Sequence, residues 1–260
     1  MPRALWTGAS GMAAQQTSID LIANNIANIN TSGFKRQRAD FQDLFYDVQR
    51  TPGMRNGDTS TNPTGVQIGT GVHLVGTTRL FSAGSIEATG NATDMAIAGE
   101  GFFRVVVPDG SFRYTRAGDF RVDSNGDLVT PDGYYLDPRI TVPDGATSVA
   151  VGDTGEVTAL VNNAITSLGT VTLSRFRNPA GLMADGRNLF LATDASGPAQ
   201  DGNAGSTGFG IIRGGQLEKA NVEIVTELVN MIVAQRAYEM NSRSVRTADS
   251  MLQTANELIR

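Results

Sequence analysis

Two apolar stripes with a step of seven, one at each end of the chain, restrict what this sequence can fold into. The first runs Leu5, Met12, Ile19 and Ile26, with Ile22 and Ile29 three beyond the last two. The second runs Ile224, Met231, Tyr238, Val245, Leu252 and Ile259, with Ala234, Ala248 and Ala255 on the same face and Leu228 and Ile232 broadening it. A sustained seven-residue repeat marks a helix that packs along a seam. Helices of roughly 30 residues would be about 45 Å long. Neither can bury its stripe alone, and an isolated helix is marginal in water. The stripes therefore either pair within one chain or enter an assembly, where the termini order on polymerisation.

Between the ends the texture changes to β. "GFFRVVV" is a short apolar run, followed by turn signals at Asp109-Gly110, Asn125-Gly126 and Asp132-Gly133. Others follow at Asp144-Gly145, Asp153 to Gly155 and Asp185-Gly186. The stretches Arg50 to Gly65 and Thr193 to Gly208 are polar, rich in breakers and read as loops. The expected fold is α+β, with long N- and C-terminal helices forming a coiled-coil-like core element around a central antiparallel, turn-rich β domain. The expected boundaries are an N-terminal helix over 1–32 and an extended linker or arm over 33–84. A β domain over 85–210 follows, then a return segment and C-terminal helix over 211–260.

Composition removes several functions. The 260 residues include no cysteine and one histidine, His73. Structural zinc sites, thiol chemistry and disulfides are excluded. A formal charge of -5 argues against a general nucleic-acid binder. No run of about 18 apolar residues is present to span a membrane. The N-terminal residues lack the continuous apolar core of a cleavable secretory signal. The chain either stays in the cytoplasm or leaves by another route.

Catalytic signals are weak. There is no Walker loop, and "GTGVHL" and "GEGFFR" miss the dinucleotide-binding spacing. His73 has no evident nucleophile beside it. "DSNGD" puts its glycine fourth, where a calcium loop needs it sixth, and reads as a hairpin turn. Asp119 and Asp123 would suit glycoside hydrolysis only if they faced each other across a cleft. "FKRQR" reads as a charge cluster beyond a helix C-terminus. No cofactor is expected.

At this point the motifs resemble a known family. "ANNIANINTSGFKRQRADFQDLFY", Ala23 to Tyr46, is similar to the N-terminal signature of bacterial flagellar rod and hook proteins. The extension "FKRQRADFQDLFY" is most similar to the distal-rod members. "GEGFFRV", "YTRAGDFRVDSNGDLVTPDGYYL" and the stretch Asn221 to Leu252 resemble the family's middle and C-terminal blocks, in the right order. One departure is Ala220, where the family usually has serine before Asn221.

The resemblance implies a structural subunit of the distal rod, which polymerises helically into a rigid hollow drive shaft across the periplasm. It implies that the terminal helices form an inner core around the export channel and that the β domain lies outside. It also implies export by the flagellar type III apparatus without a cleaved signal. The implied partners are further copies of the chain, proximal rod subunits, hook subunits, and the bushing rings of the peptidoglycan layer and outer membrane. The alternatives are another axial subunit, of the proximal rod or hook, or a peptidoglycan-cleaving enzyme.

The residues then acquire expected roles. The N-terminal isoleucines supply the seam. Asn24, Asn25 and Asn28 either fix register between subunits, line a wetted channel or sit in solvent. Gly33 is expected to end the helix in a left-handed conformation. Lys35, Arg36 and Arg38 are placed to pair with acidic residues of an adjoining subunit. Leu44 to Gly65 resembles a stretch that distal-rod proteins carry and typical hook proteins lack. Asp47, Arg50, Pro52, Arg55 and Asn62 are assigned to this arm, which would stiffen the polymer by reaching an axial neighbour.

Overall fold

The computed structural model describes residues 3–53 and 63–258. Helix α1 spans Arg3–Ala27. It stops where four residues with poor helix propensity, Asn28, Asn30, Thr31 and Ser32, surround Ile29. Gly33 lies beyond that turn at φ +67, so the left-handed glycine follows the helix at a distance and does not cap it. Helix α2 spans Ile224–Leu258.

The strands in chain order are β1 (Gln37–Asp43), β2 (Tyr46–Arg50), β3 (Val66–Gly69), β4 (Val72–Arg79) and β5 (Ile86–Ala88). Then come β6 (Met95–Ala98), β7 (Phe102–Val106), β8 (Phe112–Thr115), β9 (Arg121–Val122), β10 (Leu128–Val129) and β11 (Tyr135–Asp137). β12 (Ala146–Val151), β13 (Glu156–Val161), β14 (Ala164–Thr170) and β15 (Thr172–Arg175) follow. The last are β16 (Met183–Gly186), β17 (Leu189–Leu191), β18 (Gln200–Asn203), β19 (Ile211–Gly214) and β20 (Gln216–Glu218).

The chain divides into two compact units. The first contains residues 1–26, 37–78 and 224–260, and the second residues 27–36 and 79–223. In the first unit, β1 pairs with β4 and β2 antiparallel with β3, giving two-stranded ribbons.

The second unit, the β domain, is built on a nine-stranded sheet with the path β16-β17-β8-β7-β11-β10-β9, to which β15 and β18 attach at β7. Every named pairing in it is antiparallel. The hairpin turns at Gly110, Gly126 and Gly133 adopt φ of +78, +86 and +85, which only glycine takes without strain.

The run "GFFRVVV" is apolar without alternation because β7 is covered on both faces. Phe103 and Val105 enter one cluster with Met95, Ile97, Leu136 and Ile212. Phe102 enters another with Tyr114, Phe176 and Phe190. Rings meet edge to face, as Phe103 does with Phe120 at 5.3 Å and 89°. All the buried apolar clusters of the described residues lie in this unit.

Candidate functional site

The first unit has the opposite character. Its buried apolar residues, among those described, are two alanines, Ala14 and Ala234. It nevertheless carries nineteen of the twenty-three exposed large apolar side chains among the described residues. Trp6 on α1 is 68% exposed and Phe45, between β1 and β2, 93%. The ribbons expose Tyr46, Val48, Val66, Ile68 and Val75. Helix α2 exposes Val225, Val229, Ile232, Val233 and Met240. Large apolar side chains exposed in such number and concentrated in one unit mark candidate interaction surface.

α1 approaches α2 through glycines. A Cβ at Gly8 would lie 2.7 Å from Val245 Cγ2, and one at Gly11 2.8 Å from Asn241 Nδ2. Glycine's missing side chain is what admits the neighbouring helix at this distance. Val245 therefore seats against its own chain and is half-buried, as is Met231. Ile224, Leu228, Tyr238 and Leu252 are exposed, while Ile259 lies outside the described residues.

The most exposed apolar face of α2 is displaced from the seven-step seam. Val225, Val229, Ile232 and Val233 stand at i, i+4, i+7 and i+8. That pattern was available in the sequence, as an amphipathic stripe of period 3.6 beside the heptad. Counting in sevens takes in Ile232 at the edge of the stripe but passes over Val225, Val229 and Val233.

On α1, Leu5, Met12, Ile19, Ile22 and Ile26 are half-buried, and Ile29, in the turn after it, packs on a small cluster of Phe34, Ala220 and Val222. The asparagines separate. Asn24 is exposed, and Asn28 accepts a hydrogen bond from the Thr31 hydroxyl at 3.2 Å. Asn25 is buried; its Nδ2 donates to Gln37 O and its Oδ1 accepts from Gln37 N, both at 2.9 Å. This side chain acts within its own chain, holding the start of β1 to α1, which corrects its expected place at a subunit contact.

Lys35 is a second correction. It is fully buried, with Nζ 2.6 Å from Glu218 Oε1 in its own chain, and does not reach an adjoining subunit. Burial pulls its pKa below the ordinary lysine value, against the opposing charge of Glu218. Arg36 is half-buried, its backbone N–H donating to Asn221 Oδ1 at 2.7 Å. Arg38 is exposed and pairs with Asp40 at 2.9 Å.

Of the arm residues, Asp47 pairs with Arg3 of α1. Arg50 and Pro52 are exposed, while Arg55 and Asn62 lie outside the described residues. Ser10 Oγ accepts a hydrogen bond from Val72 N at 3.4 Å, and Gly71 leaves room for it. The ribbon thus lies along α1.

Of the residues weighed for chemistry, Asp123 takes a structural role. Asp123 accepts from the backbone N–H of Asn125 and Asp127 at 2.8 and 2.9 Å, as a turn carboxylate does. Asp119 is half-buried, and burial raises its carboxyl above the usual range, with the neighbouring Asp94 charge adding to this. His73 is exposed on β4. Among the described residues no group of three or more His, Cys, Asp or Glu is arranged to hold a metal, and no helix is long and apolar enough to cross a membrane.

Comparison with known proteins agrees with this picture. Residues 5–35 match the family described as "Flagella basal body rod protein". Residues 96–159 match "Flagellar hook protein FlgE/F/G D1 domain", and residues 213–258 match "Flagellar basal body rod FlgEFG protein C-terminal". The chain is 46% identical to the flagellar basal-body rod protein FlgG of Borreliella burgdorferi, over 100% of both chains. It is 45% identical to that of Agrobacterium fabrum over 96% of both. With that of Caulobacter vibrioides it shares 44% identity over 98% of this chain and 99% of the relative. These are structural proteins, not enzymes, and the chain belongs to the flagellar basal-body rod protein family.

Proposed function

We propose that this rod subunit polymerises helically into the rigid, hollow distal rod, which transmits torque across the periplasm and encloses the export channel. The observation that carries the reading is the uneven distribution of exposed apolar surface, concentrated in the terminal helices and ribbons. Different patches of one chain that meet on neighbouring copies make a heterologous contact, and such contacts generate open helical polymers. The terminal helices form a coiled-coil-like inner core, with Ile224, Leu228, Tyr238 and Leu252 facing neighbouring subunits beside the more exposed Val225, Val229, Ile232 and Val233. Met231 and Val245 complete the seam of α2 against α1.

The ribbon β2–β3, with Asp47, Arg50 and Pro52, acts as the stiffening arm towards an axial neighbour. Arg36 and Arg38 contribute charge at subunit contacts. Proximal rod subunits, hook subunits and the bushing rings of the peptidoglycan layer and outer membrane are the flanking partners. The flagellar type III apparatus exports the chain.

The test is an Ile232→Asp/Val233→Asp variant. Both side chains are already exposed, so thermal unfolding of the monomer should be unchanged while polymerisation and motility are lost. A variant that still builds rods would overturn the reading.

A further inference from the structure

The chain crosses between its two units four times, after residues 26, 36, 78 and 223. On the β-domain side these crossings are carried by three segments, residues 27–36, 79–85 and 216–223. All three are tied to one another inside the β domain. Gly33 N donates to Glu218 O at 2.8 Å, Leu80 N to Arg36 O at 2.9 Å and Lys219 N to Ser85 O at 2.8 Å.

Three side chains complete the junction. Lys35 Nζ donates to Glu218 Oε1 at 2.6 Å and to Ser82 O at 2.8 Å. Glu218 Oε1 also accepts from Gly84 N at 2.8 Å. Asn221 Oδ1 accepts from Arg36 N, while its Nδ2 donates to Leu80 O at 2.8 Å and to Ser82 O and Oγ at 3.1 and 3.0 Å. Arg116 then fastens the cluster to the β domain. Its Nη1 lies 3.4 Å from Glu218 Oε2, and its Nη2 donates to Gly99 O at 2.8 Å.

A buried ion pair of this kind adds little net stability over apolar residues of equal volume, because desolvating two charges offsets their attraction. What it adds is direction. Charge-assisted hydrogen bonds hold three backbones in one register, whereas apolar contacts tolerate sliding. Resting on the rod reading above, we infer that the Lys35–Glu218–Asn221 cluster is a load-sharing joint. It locks the connections between the two units into one element, so torque entering through any of them is borne by all. Lys35, Glu218 and Asn221 are then positioning residues for torque transmission.

The test uses the full-length chain with Lys35→Met, which leaves Glu218 balanced by Arg116, and separately with Asn221→Ala, which disturbs no charge. Rods isolated with the basal body are imaged, and their curvature is compared with wild type. The expected result is a folded β domain, faster amide exchange confined to residues 33–36, 80–85 and 218–222, and a several-fold shorter persistence length. Straight, wild-type-like rods from either folded variant with a loosened junction would overturn the joint. If Lys35→Met does not fold, the Asn221→Ala rods decide. Failure of the wild-type chain to build rods would instead overturn the rod reading itself.

Discussion

The β domain and the helix-and-ribbon unit are made from the same residue types, yet they use them in opposite ways. In the β domain, Phe103, Val105, Leu136 and Ile212 are wholly buried and polar groups close on one another. In the other unit, Val225, Val229, Ile232 and Val233 face outward on a helix that a single chain does not cover. Burying a large apolar side chain stabilises by about 1.5–3 kcal/mol relative to leaving it in water. The β domain has taken this stabilisation within one chain. The helix-and-ribbon unit leaves it untaken within one chain, which on the proposed rod reading reserves it for contact with other copies. On the rod reading proposed above, one sequence combines a part that folds before assembly with a part whose folding is completed by it.

The comparison breaks most sharply at Phe103. Phe103→Ala should cost about 3–5 kcal/mol in the β domain, through lost burial and the cavity left behind. Chemical denaturation of the full chain, followed by near-ultraviolet circular dichroism, reads that loss. A cost below about 1 kcal/mol would mean that the β domain is not the independently stable part.

A smaller and different effect is expected at Gly8. Gly8→Leu would drive a side chain into Val245 and force α1 away from α2. Overpacking of this kind costs about 1–3 kcal/mol. The β-domain transition should stay in place while the rate of polymerisation falls. A shifted β-domain transition would show that the two units are energetically coupled in the monomer.

The smallest effect is a pH dependence within the β domain. Hydrogen bonds from Arg139 and Thr141 hold Asp127 at about 2, below the usual carboxylate value. The folded pKa is depressed, so the stabilisation is complete above the unfolded value of roughly 4 and is lost as pH falls towards about 2. Asp127→Asn should therefore be less stable than wild type at neutral pH, with the difference shrinking below roughly pH 4. Thermal unfolding between neutral pH and pH 2 checks this. A difference that does not change with pH would remove the ionised carboxylate from the account.

Much of this division is legible in the sequence because it is written in local patterns. The helix at each end follows from the apolar repeats, and the hairpins of the β domain from Asp-Gly and Asn-Gly pairs at positive φ. What the sequence hides is non-local. Lys35 meets Glu218 across 183 positions, and nothing near Lys35 distinguishes a buried lysine from a solvated one in a basic run. Asn25 gave no sign that it would grip the backbone of Gln37. The ribbons β1–β4 and β2–β3 were also obscured, because their strands expose apolar side chains and lack the in-out alternation of a half-buried sheet. On α2 the heptad drew attention to Val245, which seats against α1, while the most exposed apolar face, Val225, Val229, Ile232 and Val233, follows the neighbouring 3.6 period.

Amide hydrogen exchange on the full-length monomer, repeated on the assembled polymer, tests the central claim most directly. The account predicts fast exchange in α1, the ribbons and α2 of the monomer, with protection acquired on assembly, while β7, β8 and β11 are protected in both. If α1 and α2 are already protected in a verified monomer to the level of β7, the terminal helices are not completed by assembly and the account is contradicted.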